Sequence, residues 1–338
     1  SGGGMLAVAR WSLGAHRLST SLGARTERSH IRDEGLSVAE RGGLRRRLVT
    51  ASARDSLPLG SARVTLLAEW ELRRDDFAGA GNGRVPPPAD DSRDAALGGS
   101  ASLALPLGEG WTLRGSAGSF HRRPSLAELF GDSGQVRGNP SLDPEHGWKF
   151  EAGPSAAFRA GAWTWSAELA AFASRTDDMI LVWPQSQGVS VAENVGSARV
   201  AGVEASASLR APGGFAVDAA GTLQRARAAG GPYDGKRLPT VPERLGWIGT
   251  SWNPGRWSLG WELRYVGENS SDRLDEERYR LPARVLHDVR AARDVGAGIR
   301  LSVEVQNLFD RETRDVARFP LPGRLVYGGA RWSYGGGR

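Results

Sequence analysis

The chain has 338 residues, 40% of them hydrophobic, with 46 Gly, 12 Trp, no Cys and a formal net charge of +6. The lack of cysteine excludes disulfides, thiolate metal sites and Cys nucleophiles, and no run of about 18 apolar residues is present to form a transmembrane helix. Basic residues are interspersed with acidic ones rather than gathered into the clustered footprint that nucleic acid requires, so no nucleic-acid partner is expected.

Taken in order, the chain repeats one pattern. Met5, Ala7, Ala9, Trp11 and Leu13 share a face, and Gly14-Ala15 turns into a second strand that runs to about Ser29. Val64, Leu66, Ala68, Trp70 and Leu72 alternate with Arg63, Thr65, Glu69, Glu71 and Arg73. The same period of two recurs from Trp111, from Trp148 and from Trp163. It is clearest in Trp257, Leu259, Trp261, Leu263 and Tyr265 against Arg256, Ser258, Gly260, Glu262 and Arg264. It returns in Leu301, Val303 and Val305 against Ser302, Glu304 and Gln306, and again from Val326 to Tyr334. A period of two marks a strand with two unlike faces. Pro154 falls inside one such strand, costs it a ladder hydrogen bond and predicts a bulge.

About fifteen strands follow from the alternation. Tight connections such as Gly14-Ala15, 56–60, 106–110, 159–161 and 253–255 take turns with long ones near 30–43, 75–93, 122–145, 176–196, 228–241, 270–281 and 309–323. Strict short–long alternation describes an up-and-down antiparallel meander with one tight rim and one elaborate rim, the arrangement of outer-membrane barrels. The fold class is therefore all-β, a transmembrane β-barrel whose greasy face meets lipid and whose wet face encloses a cavity. Trp111, Trp163, Trp257 and Trp332 sit near strand ends, as an aromatic girdle at the headgroups requires. Hydrocarbon tolerates no unpaired sheet edge, so an odd strand count predicts an N-terminal truncation of a larger barrel, or completion by another chain. Residues 1–338 then form a single β-barrel domain.

Several stretches carry a family resemblance. They are Phe120-His121-Arg122-Arg123-Pro124-Ser125-Leu126-Ala127-Glu128-Leu129-Phe130-Gly131, followed by Gly138-Asn139-Pro140-Ser141-Leu142-Asp143-Pro144-Glu145; Asp177-Asp178-Met179-Ile180 with Glu193 to Glu204; Val241-Pro242-Glu243-Arg244; and Asn307-Leu308-Phe309-Asp310 with Pro322-Gly323-Arg324 and the closing strand. In this order, over roughly residues 110–334, they resemble TonB-dependent outer-membrane receptors. The resemblance implies a barrel of about 22 strands filled by an N-terminal plug, in the bacterial outer membrane. It implies uptake of a ferric siderophore, cobalamin or similar scarce nutrient, driven by TonB. The hairpin and C-terminal blocks lean weakly towards the cobalamin receptors. Plug, TonB box and about seven strands of that barrel are not found in this sequence, and TonB and plug contacts are expected through that missing part. The alternative is a passive porin or structural barrel in contact with outer-membrane lipid.

No catalytic spacing is present: His16, His30, His121, His146 and His287 form no His-Glu-x-x-His pattern, and no Gly-x-Ser-x-Gly elbow occurs. An enzyme is not expected, nor any cofactor. The acidic pairs Asp90-Asp91 and Asp177-Asp178 read as solvated loop residues rather than a metal site. Ligand contacts are expected from the long loops: Arg122, Arg123, Phe130, Arg137, Trp183 and Tyr233.

Overall fold

A computed structural model of the chain describes residues 2–30, 43–78, 92–130, 136–184, 190–316 and 319–333. Its frame is one fifteen-stranded sheet in which each strand hydrogen-bonds the next in sequence. The strands are β1 (Gly2–Leu13), β2 (His16–His30), β3 (Gly43–Leu59), β4 (Ala62–Ala78), β5 (Ser92–Gly108), β6 (Trp111–Arg122), β7 (Glu145–Ala160) and β8 (Trp163–Asp177). After them come β9 (Ser197–Ala211), β10 (Phe215–Ala229), β11 (Arg244–Trp252), β12 (Trp257–Val266), β13 (Arg284–Gly296), β14 (Ile299–Gln306) and β15 (Leu325–Trp332). Every neighbouring pair is antiparallel, so the expected meander is present. β1 and β15 are the two edges and do not pair with each other.

The tight rim is built from short hairpins. Gly14 sits at φ +59 between β1 and β2, a left-handed conformation that a two-residue hairpin with matching twist requires and that glycine adopts without cost. At the other rim β4 and β5 run to 17 residues each, beyond the 9–11 that a tilted strand needs to cross a bilayer.

The two faces of the sheet differ as the alternation demands. A recess spans five consecutive strands, lined by Thr65 of β4, Ser102 of β5, Arg114 of β6, Glu151 of β7 and Glu168 of β8. One recess can be shared by side chains of five strands only on the concave side, so the polar face is the inner one. Arg114 of β6 reaches across β7 to Glu168 of β8 at 3.7 Å on that side. The apolar face is convex and uncovered: Leu97 is 76% exposed, Trp257 43% and Val303 47%. A water-soluble protein does not leave so large a continuous apolar surface bare, and among the described residues no second protein layer covers it.

Two details depart from the alternation. Trp247 of β11 points inward, its ring lying where a Cβ on Gly249 would be. Pro154 makes no bulge: the β7–β8 register is unchanged on either side, and only Gly153 and Pro154 go unpaired with β8. A Cβ at Gly153 would fall 1.7 Å from the Leu169 carbonyl oxygen. The two strands close up over the glycine there, and the gap is absorbed without a shift.

The four tryptophans read as girdle residues all sit at the tight rim. Trp111, Phe158 and Trp165 form a chain of ring contacts at 6.0 and 4.3 Å.

Candidate functional site

Buried side chains gather at the long-loop rim rather than between layers. The segment after β6 opens with Ser125 and the short helix α1 (Leu126–Phe130). Glu128 accepts the Ser125 N–H at 2.7 Å, and the Glu128 N–H is donated to Ser125 Oγ at 3.2 Å. This reciprocal capping box satisfies two otherwise orphaned donors. Farther along, Ile180–Pro184 pairs antiparallel with Ser190–Asn194, which pairs in parallel with Val136–Arg137. Leu129, Leu142, Ile180 and Ala192 pack beneath this small sheet.

Arg122 ties the pieces together. Its guanidinium donates to both oxygens of Glu145 at 2.6 and 2.7 Å and to both oxygens of Glu128 at 3.1 and 3.2 Å. Glu145 Oε1 also accepts the Ile180 N–H at 2.7 Å. One arginine therefore joins the end of β6, the start of β7, helix α1 and the rim sheet. Burial alone would raise the Glu128 carboxyl, but the Ser125 N–H and the Arg122 guanidinium outweigh it and hold Glu128 below the ordinary carboxylate range. Asn139 donates to the Ala192 carbonyl at 3.0 Å, and Asn194 donates to the carbonyls of Asp143 at 3.0 Å and Asp178 at 2.6 Å. These side chains supply hydrogen bonds that irregular backbone cannot make for itself.

The same loop is held against the inner wall. Arg46 forks onto Asp75 at 2.9 and 3.0 Å and donates to the Pro124 carbonyl at 3.0 Å. Arg123, 5% exposed at its side chain, lies 2.7 Å from Glu71 and 3.8 Å from Asp94. Glu71, Asp75 and Asp94 all belong to the inward face of β4 and β5. Charges this buried persist only as paired sets.

The loop after β10 also bends inward. Leu238 packs with the inward residues Ala198, Ala226 and Ala228, and Tyr233 rests against them. The Arg273 guanidinium lies 5.1 Å from the Tyr233 ring centre and 5.4 Å from that of Trp183, and bonds Glu193 at 3.1 Å. Cation–π contacts of this kind contribute about 0.5–2 kcal/mol. Trp183 is buried, and its indole N–H has no hydrogen-bond partner among the described residues.

Of the six expected loop residues, the fold brings Trp183 and Tyr233 together around Arg273. Arg122 and Arg123 engage carboxylates of the frame. Phe130 ends α1 and Arg137 lies in the two-residue strand, while their side chains lie outside the described part of the structure, as does Asp90-Asp91 altogether. Asp177 pairs with Arg175 at 2.9 Å. Arg273, Glu145 and Asn194 were not singled out by sequence reasoning. Glu145 and Asn194 lie in the blocks that carry the resemblance, and that was the available signal. Nothing local marks Arg273, because its partner Glu193 is 80 residues away.

A family model described as TonB dependent receptor-like, beta-barrel, matches residues 4–308. Among solved structures, the copper transporter OprC is 17% identical with a TM-score of 0.76, covering 97% of this chain and 55% of OprC. The ferric citrate transporter FecA is 17% identical at a TM-score of 0.74, covering 97% of this chain and 53% of FecA. The ferric-catecholate import receptor Fiu from K12 E. coli is 15% identical at 0.71, covering 97% and 54%. At these identities the likeness is one of fold. The chain spans about half the length of these structures.

Proposed function

This chain belongs to the TonB-dependent receptor β-barrel family, and we propose that it forms the wall and rim of a receptor importing a scarce nutrient, a ferric siderophore or cobalamin. The barrels of this family stand in the bacterial outer membrane, and its members are transporters rather than enzymes. The whole chain acts as one barrel domain in this reading. TonB and a plug are partners of the complete receptor.

The observation that supports a receptor over an open pore is the inward fold of the long loops. Arg123 and Pro124 are strapped to the inner wall, and Tyr233 and Leu238 cover inward-facing alanines. Loops strapped in this way narrow the lumen and hold a fixed set of side chains towards an arriving solute, as recognition requires. Tyr233 and Arg273 place an aromatic ring beside a cation, and the buried Trp183 backs the Arg273 guanidinium. We assign first contact with the nutrient to Tyr233 and Arg273, to Trp183 the seating of the Arg273 guanidinium, and to Arg122 and Arg123 the holding of the loops on which the contact depends.

Uptake of labelled ferric siderophores and labelled cobalamin into cells expressing the whole protein tests this. One of them is expected to be accumulated saturably, and removal of TonB is expected to abolish the accumulation. Trp183→Ala should weaken binding of that nutrient about tenfold, the order of one lost buried hydrogen bond or stacking contact. Uptake that rises linearly with concentration and is indifferent to TonB would instead identify a passive pore.

A further inference from the structure

Arginines on the convex face line up across strands. The register sets Arg47 of β3 directly opposite Arg74 of β4, and Arg74 opposite Arg93 of β5. It likewise sets Arg175 of β8 opposite Arg199 of β9, and Arg199 opposite Arg227 of β10. All six share the parity of outward residues, such as Leu72 and Leu97 for the first row and Leu169 and Leu223 for the second. Like charges directly opposite in a sheet are destabilising, so two three-strand rows of one sign call for an external counter-charge. Nearby acids offset them only in part. Asp76 lies 3.3 Å from Arg47 and 3.1 Å from Arg74, Asp177 pairs with Arg175, and Glu243 with Arg227. Arg93 and Arg199 have no ion pair among the described residues.

Their height is set as well. Twelve residues separate Arg175 from Trp163, Arg227 from Phe215 and Arg199 from Ala211, and likewise Arg47 from Leu59 and Arg93 from Leu105. A tilted strand climbs roughly 30 Å over twelve residues, about the thickness of the hydrocarbon layer. The rows therefore cap the apolar band at the long-loop side, while aromatic residues cap it at the tight rim. A guanidinium forks onto phosphate oxygens, and clustered arginines at a membrane surface attract anionic headgroups.

We propose that the two rows, Arg47-Arg74-Arg93 and Arg175-Arg199-Arg227, are binding sites for a phosphate-bearing lipid of the outer leaflet, each phosphate bridging arginines of adjacent strands. This rests on the membrane reading above and adds to it a specific lipid chemistry. Arg278, Arg311 and Arg314 border a recess of about 780 Å³ on the same face that includes Val285 and Phe309, but Arg278 is paired with Glu276 and Arg314 with Glu312, so the proposal rests on the two rows alone.

The test uses the protein extracted from outer membranes and stripped of lipid in neutral detergent. The probes are diphosphorylated lipid A, its dephosphorylated form and inorganic phosphate, with bound lipid counted by native mass spectrometry. Wild-type protein is expected to bind the diphosphorylated lipid at least tenfold more tightly than the dephosphorylated one, and millimolar phosphate should not displace it. Combining Arg93→Gln with Arg199→Gln removes one arginine from each row and should weaken binding at each about fivefold, given about 1 kcal/mol per surface arginine at an anionic membrane. Arg114→Gln, on the inner wall, should bind like wild type. Should the glutamine variants fail to insert, Arg93→Lys and Arg199→Lys keep the charge, lose the fork and are expected to bind with intermediate affinity. Equal affinity for both lipids, unchanged binding by the variants, or full displacement by inorganic phosphate each overturns the lipid site. Heat-modifiable gel migration is read on the same samples. A folded variant with unchanged binding overturns this site alone, whereas a wild-type protein that never shows the folded band overturns the membrane reading and this site with it.

Discussion

Arg122→Ala is expected to release the rim loops while the strands stay inserted. The substitution removes four charge-assisted hydrogen bonds and leaves Glu128 and Glu145 facing each other, with side-chain exposures of only 15% and 10%. Hydrogen bonds to charged groups are worth about 1.5–3 kcal/mol, and stranding a buried charge costs more. Arg122 is itself 41% exposed, so solvent recovers part of the loss and the local cost is about 2–3 kcal/mol. Hydrogen exchange should then speed up roughly 30- to 140-fold at Ile180 and in the segment 190–194, by the usual 1.4 kcal/mol per tenfold. Amides in the middle of β8 and β9 should not change. Adding Glu128→Gln to Arg122→Ala should recover some protection by removing one of the opposed charges. Unaltered exchange at Ile180 would show that the small apolar cluster holds the rim without the arginine.

The second large effect separates two neighbouring residues. Leu169 lies on the convex face midway between Trp163 and Arg175, is 49% exposed and pairs with Ala205. Leu169→Arg places a guanidinium near the bilayer midplane and should destabilise the inserted state by about 2–4 kcal/mol. Glu168, one residue away, faces the cavity and touches Arg114 at a loose 3.7 Å with both side chains more than half exposed. Glu168→Gln should cost less than about 0.5 kcal/mol, since exposed pairs contribute little. Urea unfolding from lipid vesicles measures both. Equal costs for the two would remove the distinction between a lipid face and a cavity face.

The sheet was legible in the sequence because its physics is local and repeated. Alternation at Trp257 to Tyr265 needs only neighbouring residues, and the tight turns announce themselves by Gly14 or Gly255. The rim was not legible for the opposite reason. Arg122 meets Glu145 at a separation of 23 residues, Arg123 meets Glu71 across 52, and no period links them. Side chains chosen as ligand donors for being polar and on loops, Arg122 and Arg123, are engaged with acids of the frame. The arginine rows are a subtler case: Arg74 and Arg199 look ordinary singly, and only the pairing register shows that each lies between two other arginines. Pro154 was expected to shift the strand, whereas Gly153 beside it lets β7 and β8 close up.

The central claim is that the convex face of this sheet meets lipid while the concave face lines a wet cavity. The chain has no cysteine, so an introduced one is a unique reporter. Ala205, Ser206, Ala207 and Ser208, consecutive small residues of β9, can each be replaced by Cys in vesicle-inserted protein and exposed to a water-soluble maleimide. The expected result is rapid labelling at 206 and 208, with 205 and 207 protected from the reagent and quenched by nitroxide-bearing lipid. Labelling at all four positions alike, or at 205 and 207 alone, would contradict it.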